Sequence, residues 1–385
     1  MVYIRGHAKD YNNWEKVVQQ DGAMPIVYRA NAYRGGSGPL HVTRGNQKNQ
    51  ILFQKFIDAA MQAGYPFTDD MNGYQQEGFG WMDMTIHKGC RWSASQAYLW
   101  PSIKRPNLKV ITNTMTTKIE FQGLRATGIS IILSGGATNS PQLLLLSGVV
   151  DADHLKQVDV PLVHHVLAAG QNLEDHLDLY VQYECKQPIT LHRATWHEFN
   201  RLTGWGASAH LESGDLFEGI LLMLDIFRPD IVVPLAHPII DPNYLDTLQD
   251  RIDIRAAVRL TREIFEQKGF DAYRGNAISP DVNVQSDEEI YAWVRQHAKS
   301  AYYTSCTNRM GSESNSDVNP YLQVHGLECL RVVNASVMPN VVSGNLNALT
   351  IMLKEKRADI ILKSEPLVKE IVQVYEPPSW KDSQR

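Results

Sequence analysis

Leu330-Arg331-Val332-Val333-Asn334-Ala335-Ser336-Val337-Met338-Pro339-Asn340-Val341-Val342-Ser343-Gly344-Asn345-Leu346-Asn347-Ala348 is the stretch on which the fold turns. It opens as a short apolar strand over 330–333, runs through small and amide residues, and enters a helical repeat over about 347–362. A strand that ends just before a helix brings that helix's N-terminal N–H groups to the strand's end, a seat for an anionic or polarised ligand. The stretch Ser134-Gly135-Gly136-Ala137-Thr138-Asn139-Ser140-Pro141, followed by Gln142-Leu143-Leu144-Leu145-Leu146-Ser147-Gly148, has the same form. Here a β-type run ends in a glycine turn, and Ser140 as N-cap with Pro141 at the first helical position predicts a buried helix.

Outward from these two units, the β-type runs 108–112, 117–121 and 128–133, with a turn at Gln122-Gly123, predict a meander of adjacent strands. The first ninety residues are rich in glycine and aromatics and read as loops around one helix, 51–63, whose apolar residues Ile51, Leu52, Phe56, Ile57 and Ala60 share a face. Ile254, Val258, Leu260 and Ile264 predict a helix over 252–265. Ser286-Asp287-Glu288-Glu289 is a capping box, and Ile290, Trp293, Val294 and His297 line one face of the helix it starts, 287–300. Neither an internal repeat nor a low-complexity segment is visible.

Composition narrows the function. The chain has 385 residues, 37 Lys+Arg against 42 Asp+Glu, and a formal net charge of −5, which gives it no electrostatic claim on nucleic acid or anionic lipid. Its longest apolar runs, around 143–146 and 220–224, fall far short of the roughly 20 residues that span a bilayer. Cys90, Cys185, Cys306 and Cys329 form no C-x-x-C pair and read as buried free thiols. The histidines lack the spacing of a metal site. Gly204-Trp205-Gly206-Ala207-Ser208-Ala209 satisfies G-x-G-x-x-A, but the preceding Asn200-Arg201-Leu202-Thr203 is no buried strand, so it is not a dinucleotide loop. Gly311-Ser312-Glu313-Ser314 fails the nucleophile elbow of a serine hydrolase. The opening residues show neither an apolar leader nor a presequence pattern and read as a start in mid-domain.

Several long stretches, in order, resemble the glucose-methanol-choline family of flavoprotein oxidoreductases, and within it the choline-oxidising branch. They are Tyr3-Ile4-Arg5-Gly6-His7-Ala8, the run from Asp69 to Thr85 with its Asn-Gly-Tyr-Gln-Gln-Glu-Gly-Phe-Gly-Trp-Met-Asp-Met core, and the glycine turn and helix from Gly135 to Gly148. Gly170-Gln171-Asn172-Leu173-Glu174-Asp175-His176, Ser300-Ala301-Tyr302-Tyr303-Thr304-Ser305-Cys306-Thr307-Asn308-Arg309-Met310-Gly311 and the opening stretch complete them. The resemblance implies a two-part α+β and α/β fold: an incomplete FAD-binding α/β domain (1–24, 92–172 and 325–365), an antiparallel-sheet substrate domain with helices (25–91 and 173–324), and a tail (366–385). It implies oxidation of choline, or a similar small alcohol, to the aldehyde, with hydride passing to FAD and then to a quinone-type acceptor, in mitochondria at the inner membrane.

Residue by residue, the family's catalytic histidine falls on Tyr303 and its second catalytic position, His or Asn, on Asn345. The cofactor is expected at Met1, Val2, Thr116, Asn334, Ala335, Asn345 and Asn347, and the carboxylate that attracts the trimethylammonium head at Asp178. No metal is implied. Three departures stand out: the family's opening G-x-G-x-x-G unit is expected to be absent, segments are missing near Ala23, Ile129 and Pro234, and Leu167-Ala168-Ala169-Gly170 replaces a Pro-Gly-Val-Gly turn. Three charge-assisted hydrogen bonds to a pyrophosphate amount to roughly 4.5–9 kcal/mol, comparable to the ~8 kcal/mol between nanomolar and millimolar binding. A phenol also cannot replace an imidazole as base near pH 7, a role typically worth about 100–10,000-fold in rate. The sequence therefore carries two expectations, a flavin-dependent alcohol oxidoreductase and a flavin-free relative that only binds.

Overall fold

In the computed structural model of the chain, residues 2–18, 30–31, 34–36, 38–44, 51–128, 130–158, 160–189, 238–312, 315–365 and 374–376 are described. Gly204–Ala209 and the apolar run 220–224 lie outside them. The fold mixes helices with short strands around one main core and two satellites.

At the centre, Ile131–Leu133 pairs in parallel with Leu330–Val332, in the register Ile131 with Leu330 and Leu133 with Val332. This corrects the expected meander. Residues 108–120 form no strand, and only Phe121–Gln122 and Arg125–Ala126 pair locally, across Gly123 at φ +60°. The strand at 131 instead takes a partner two hundred residues away, because Leu330 and Val332 are fully apolar on the face turned to the core, where they are 1% and 0% exposed.

Each central strand runs into a helix. Leu346–Leu362 follows the second one and buries Leu346, Leu349 and Leu353, spaced three and four apart, against Val332, Val337 and Met338. The helix after the first strand is Gly136–Leu146, one turn longer at its start than expected. Ser140 is therefore inside the helix and is not its N-cap, and Pro141 is interior too. Proline lacks the N–H that would bond the carbonyl of Ala137. The buried Thr307 hydroxyl donates to that carbonyl at 2.6 Å instead, so the helix continues through the proline.

The remaining helices follow the sequence more closely. Ile51–Gln62 is present, but Ala8–Val18 makes a second helix in the first ninety residues; its Trp14 is 4% exposed. Leu248–Glu266 starts at Thr247, whose side chain accepts from the Asp250 N–H at 3.0 Å. Asp287–His297 has the complete Ser286/Glu289 capping box and ends before the strand Lys299–Ser300. These helices close the satellite cores, one of Val258, Ile290, Trp293 and Val294 and one of Ala59, Ala60, Ile264 and Phe270. Among the described residues no helix is long and apolar enough to cross a membrane, and no three His, Cys, Asp or Glu side chains group as metal ligands. All four cysteines are free thiols, with Cys306 buried and Cys90, contrary to expectation, exposed.

Candidate functional site

Residues 300–310 run between two other segments, with left-handed backbone at Tyr302 and Cys306 and a turn at Thr307–Asn308. On one side Ala301 N–H donates to the His176 carbonyl at 2.8 Å and Ser305 N–H to the Glu174 carbonyl at 2.9 Å. On the other, Asn308 N–H donates to the Ser336 carbonyl at 2.8 Å and Met310 N–H to the Val337 carbonyl at 2.9 Å. The segment is thus bonded on both edges, as a strand would be, and Tyr303 projects from it beside the main core.

Asn345 immediately precedes the helix Leu346–Leu362 in extended conformation, where asparagine usually caps. Its side chain makes no capping bond. The Nδ2 amide donates instead to the Tyr303 hydroxyl, so the two residues placed at the family's catalytic positions are in direct contact across 42 residues of sequence. The His176 ring meets the Tyr303 ring edge to face, with centroids 5.6 Å apart. The site thus brings together a phenol, a carboxamide, an imidazole and the N-terminus of a helix.

The loop that delivers Asn345 is held at several points. The Glu174 carboxylate accepts from Val341 N–H at 2.7 Å and from Asn340 Nδ2 at 3.2 Å. Asp10 Oδ2 accepts from Ser343 N–H at 3.0 Å, Ser343 Oγ at 2.7 Å and His7 N–H at 2.8 Å. Gly344 lies directly on Gly6; a Cβ there would sit 2.7 Å from the Gly6 nitrogen. The Tyr303 side is held by Asp175, whose Oδ1 accepts from the Tyr303 N–H at 2.8 Å and the His176 N–H at 2.9 Å. Its Oδ2 accepts from Tyr244 at 2.5 Å and from Ser300. Burial, then this bond to Asp175, pushes the Tyr244 phenol up to about 12, while burial keeps the Cys306 thiol protonated far above neutral pH. Glu174, Asp175 and His176 were legible only as part of a matching stretch; two adjacent carboxylates after Gly170 were the available signal for their role.

The other expected residues are spread more widely. Asn334 is 2% exposed, with Oδ1 accepting from Ser336 N–H at 2.9 Å and Nδ2 donating to Ser140 Oγ at 2.9 Å and the Leu133 carbonyl at 3.3 Å. Every donor and acceptor direction there points into the protein, so Asn334 ties the two central strand ends together. Ala335 packs against the main core. Asn347 is exposed in the first turn of its helix, and Val2 pairs with Met84 at the edge of a small antiparallel sheet. Thr116 is exposed within the exposed stretch 104–118, and Met1 is outside the described residues. Asp178 is half-buried; its Oδ1 accepts from Leu179 N–H at 2.9 Å, and Lys299 is its cross-strand partner.

A flavin needs polar donors at the ring and a glycine-lined approach for the phosphates. The structure meets the first with Asn345, Asn347 and the helix start. It offers a place for the second at Gly136, with φ +82° and open space where a Cβ would lie, at the C-terminal end of a parallel strand. The residues present fit the group at both points.

The GMC oxidoreductase family model matches in two parts, over residues 1–178 and 232–353. The chain belongs to the GMC oxidoreductase family. It is 45% identical to mitochondrial choline dehydrogenase of Mus musculus, over 100% of this chain and 77% of the mouse protein, and 43% identical to the Homo sapiens protein, over 98% and 76%. An oxygen-dependent choline dehydrogenase of Citrobacter koseri is 39% identical over 97% of this chain and 81% of that protein. The mouse alignment occupies 464 positions against 385 residues here, so internal segments of the relative have no counterpart in this chain. Among solved structures, pyridoxine 4-oxidase from Mesorbium loti superposes with a TM-score of 0.78 at 22% identity, over 94% of this chain and 82% of that one. An FAD-dependent oxidoreductase from Chaetomium thermophilum gives 0.79 at 20% identity, over 94% and 84%. This GMC chain therefore has the family's two-part fold.

Proposed function

We propose that the chain is an FAD-dependent oxidoreductase acting on CH–OH groups and that its substrate is choline or a similar small cationic alcohol, oxidised to the aldehyde. The observation that carries this reading is the contact between Asn345 and Tyr303 at the start of the helix Leu346–Leu362. Similarity to choline dehydrogenases at 39–45% identity supports the substrate class. The names of the mouse and human relatives support a mitochondrial location. The acceptor beyond the flavin would be of the quinone type. The division into FAD-binding segments (1–24, 92–172 and 325–365) and substrate segments (25–91 and 173–324) belongs to the same reading. It is supported by a main core drawn from Trp14, residues 119–169 and residues 327–353, although residues 306–324 pack into that core too.

FAD, when bound, supplies the acceptor for a hydride from the alcohol carbon. Asn345, Asn347 and the first turn of their helix would hold its ring, and Asp178 would draw the ammonium head by charge. With Tyr303 accepting from Asn345 Nδ2, its own O–H is left to donate to the alcohol oxygen. A phenol so placed stabilises the oxyanion that develops as the hydroxyl proton leaves and is no proton sink. The hydroxyl proton goes to a ring nitrogen of His176, the imidazole against Tyr303, since imidazole is the side chain suited to accept a proton near neutral pH. Hydride and proton together leave the alcohol as the aldehyde.

A second reading, a flavin-free binding protein, is favoured by one feature: a tyrosine stands where the family has its catalytic imidazole. The visible spectrum of the purified chain separates the two. After FAD is supplied and the excess removed, a flavin band should remain and should bleach on anaerobic addition of choline, and His176→Gln should retain the band but lose the bleaching. A colourless chain, or a band indifferent to choline, would sink the enzyme reading.

A further inference from the structure

Two neighbouring carboxylates grip the two sides of the candidate site, and neither has a part in the chemistry proposed above. Successive side chains of an extended segment point to opposite sides. Glu174 accordingly reaches one way to Val341 and Asn340, on the loop that leads to Asn345. Asp175 reaches the other way, to the segment that carries Tyr303. All the bonds to Asp175 come from donors: two backbone N–H groups on Oδ1, and the hydroxyls of Tyr244 and Ser300 on Oδ2. Ser300 in turn accepts from the Tyr302 N–H at 2.9 Å, so consecutive backbone positions on the way to Tyr303 are fastened to one carboxylate. The same Oδ1 also holds the backbone of His176, whose ring touches Tyr303.

We propose that Asp175 is the positioning residue of this site: it fixes Tyr303 and His176 relative to each other and to Asn345, with Glu174 setting the opposing loop. The proposal rests on the reading of Tyr303 and Asn345 as the reacting end. Two rings and an amide that meet through single contacts keep their alignment only if their backbones cannot slide, and misplacement of about 1 Å can cost on the order of a hundredfold in rate. Asp175 supplies that restraint without touching substrate. A carboxylate suits the task because every group facing it is a donor; an asparagine would turn an N–H toward one pair of them.

The test uses the full chain labelled with 3-fluorotyrosine. Its 16 tyrosines give fluorine resonances, and Tyr303→Phe identifies the one of interest. Asn345→Ala defines the shift of that resonance when the amide contact is lost. Asp175→Ala should move the Tyr303 resonance in the same direction and broaden it, Asp175→Asn should do so in part, and the distant tyrosines should stay in place. If Asp175→Ala does not fold, the double variant Tyr244→Phe with Ser300→Ala, which strips both donors from Oδ2, should give the partial shift. An unmoved Tyr303 resonance in a folded Asp175 variant, or in that double variant, overturns the proposal. In flavin-loaded chain, Asp175→Asn should lower kcat about 10- to 100-fold while the KM for choline changes less than threefold. Wild-type chain that never reduces flavin but whose Tyr303 resonance still answers to Asp175 would remove the enzymatic reading and leave the positioning role standing.

Discussion

Asp317 shows how one buried group can set the pH response of the protein. It is wholly buried, and among the described residues its Oδ1 has no partner and its Oδ2 accepts from Asn308 Nδ2 at 3.4 Å. Burial raises its pKa to about 7, against the smaller opposing pulls of Asn308 and Arg309. In the unfolded chain it titrates near 3.9. A folded-state value above the unfolded one means that the native state holds the extra proton, so the stabilisation is complete at low pH and is lost as pH rises through about 7. Each pH step between the two values costs about 1.4 kcal/mol. Asp317→Asn cannot ionise and brings an N–H for Asn308 Oδ1, which has no partner among the described residues. Urea denaturation from pH 5 to 8 should show wild-type stability falling with pH and the variant's nearly flat, with the variant more stable by a few kcal/mol at pH 8. Parallel slopes would mean that Asp317 titrates normally. From the sequence, this aspartate was indistinguishable from any other in a polar stretch, because burial is a property of the assembled core.

At the scale of elements, the helix Gly136–Leu146 tests how a proline is accommodated. Thr307→Val removes the hydroxyl that serves the Ala137 carbonyl and leaves that carbonyl buried without a partner, at a cost of about 1–3 kcal/mol. Pro141→Ala supplies the missing N–H from within the helix, so in that background Thr307→Val should cost far less. A double-mutant cycle by chemical denaturation reads the coupling directly; additive losses would show that the threonine does not stand in for the lost bond. The same helix shows why some elements were legible and others were not. The Ser286/Glu289 capping box acts within four residues, and its helix was read to within three residues of its end. Ser140-Pro141 had the local form of a helix start, but the deciding partner lies 170 residues on, and local pattern had no access to it. The expected meander failed for the same reason, since the strand Ile131–Leu133 finds its pair at Leu330–Val332. Of the candidate site, matching stretches located Tyr303 and Asn345, while the acidic pair that holds their two segments became visible only with the fold.

For the molecule as a whole, the site is a junction between the chain's first residues and its last helix. His7 N–H donates to Ser343 Oγ across 336 residues of sequence, Asp10 binds Ser343 from the same side, and Gly344 lies on the backbone of Gly6. Gly6 has φ +80°, and its Cα would stand 3.1 Å from a Cβ on Gly344, so two glycines permit the crossing. Gly344→Ala must push apart two backbones, with the new methyl 2.7 Å from the Gly6 nitrogen and 2.8 Å from Ile4 Cγ2. Neither is the free end of a flexible side chain, so overpacking of this kind should cost about 1–3 kcal/mol. The displacement would fall one residue from Asn345, and thus on its bond to Tyr303. The expected result is a lower Tm together with loss of choline-dependent flavin bleaching larger than the stability change accounts for at a temperature where the variant is still folded. Asp10→Asn, which weakens the same junction without steric insertion, should lower Tm while retaining most of the bleaching. If Gly344→Ala unfolds at the wild-type temperature and bleaches normally, the first residues of the chain lie beside the site without shaping it.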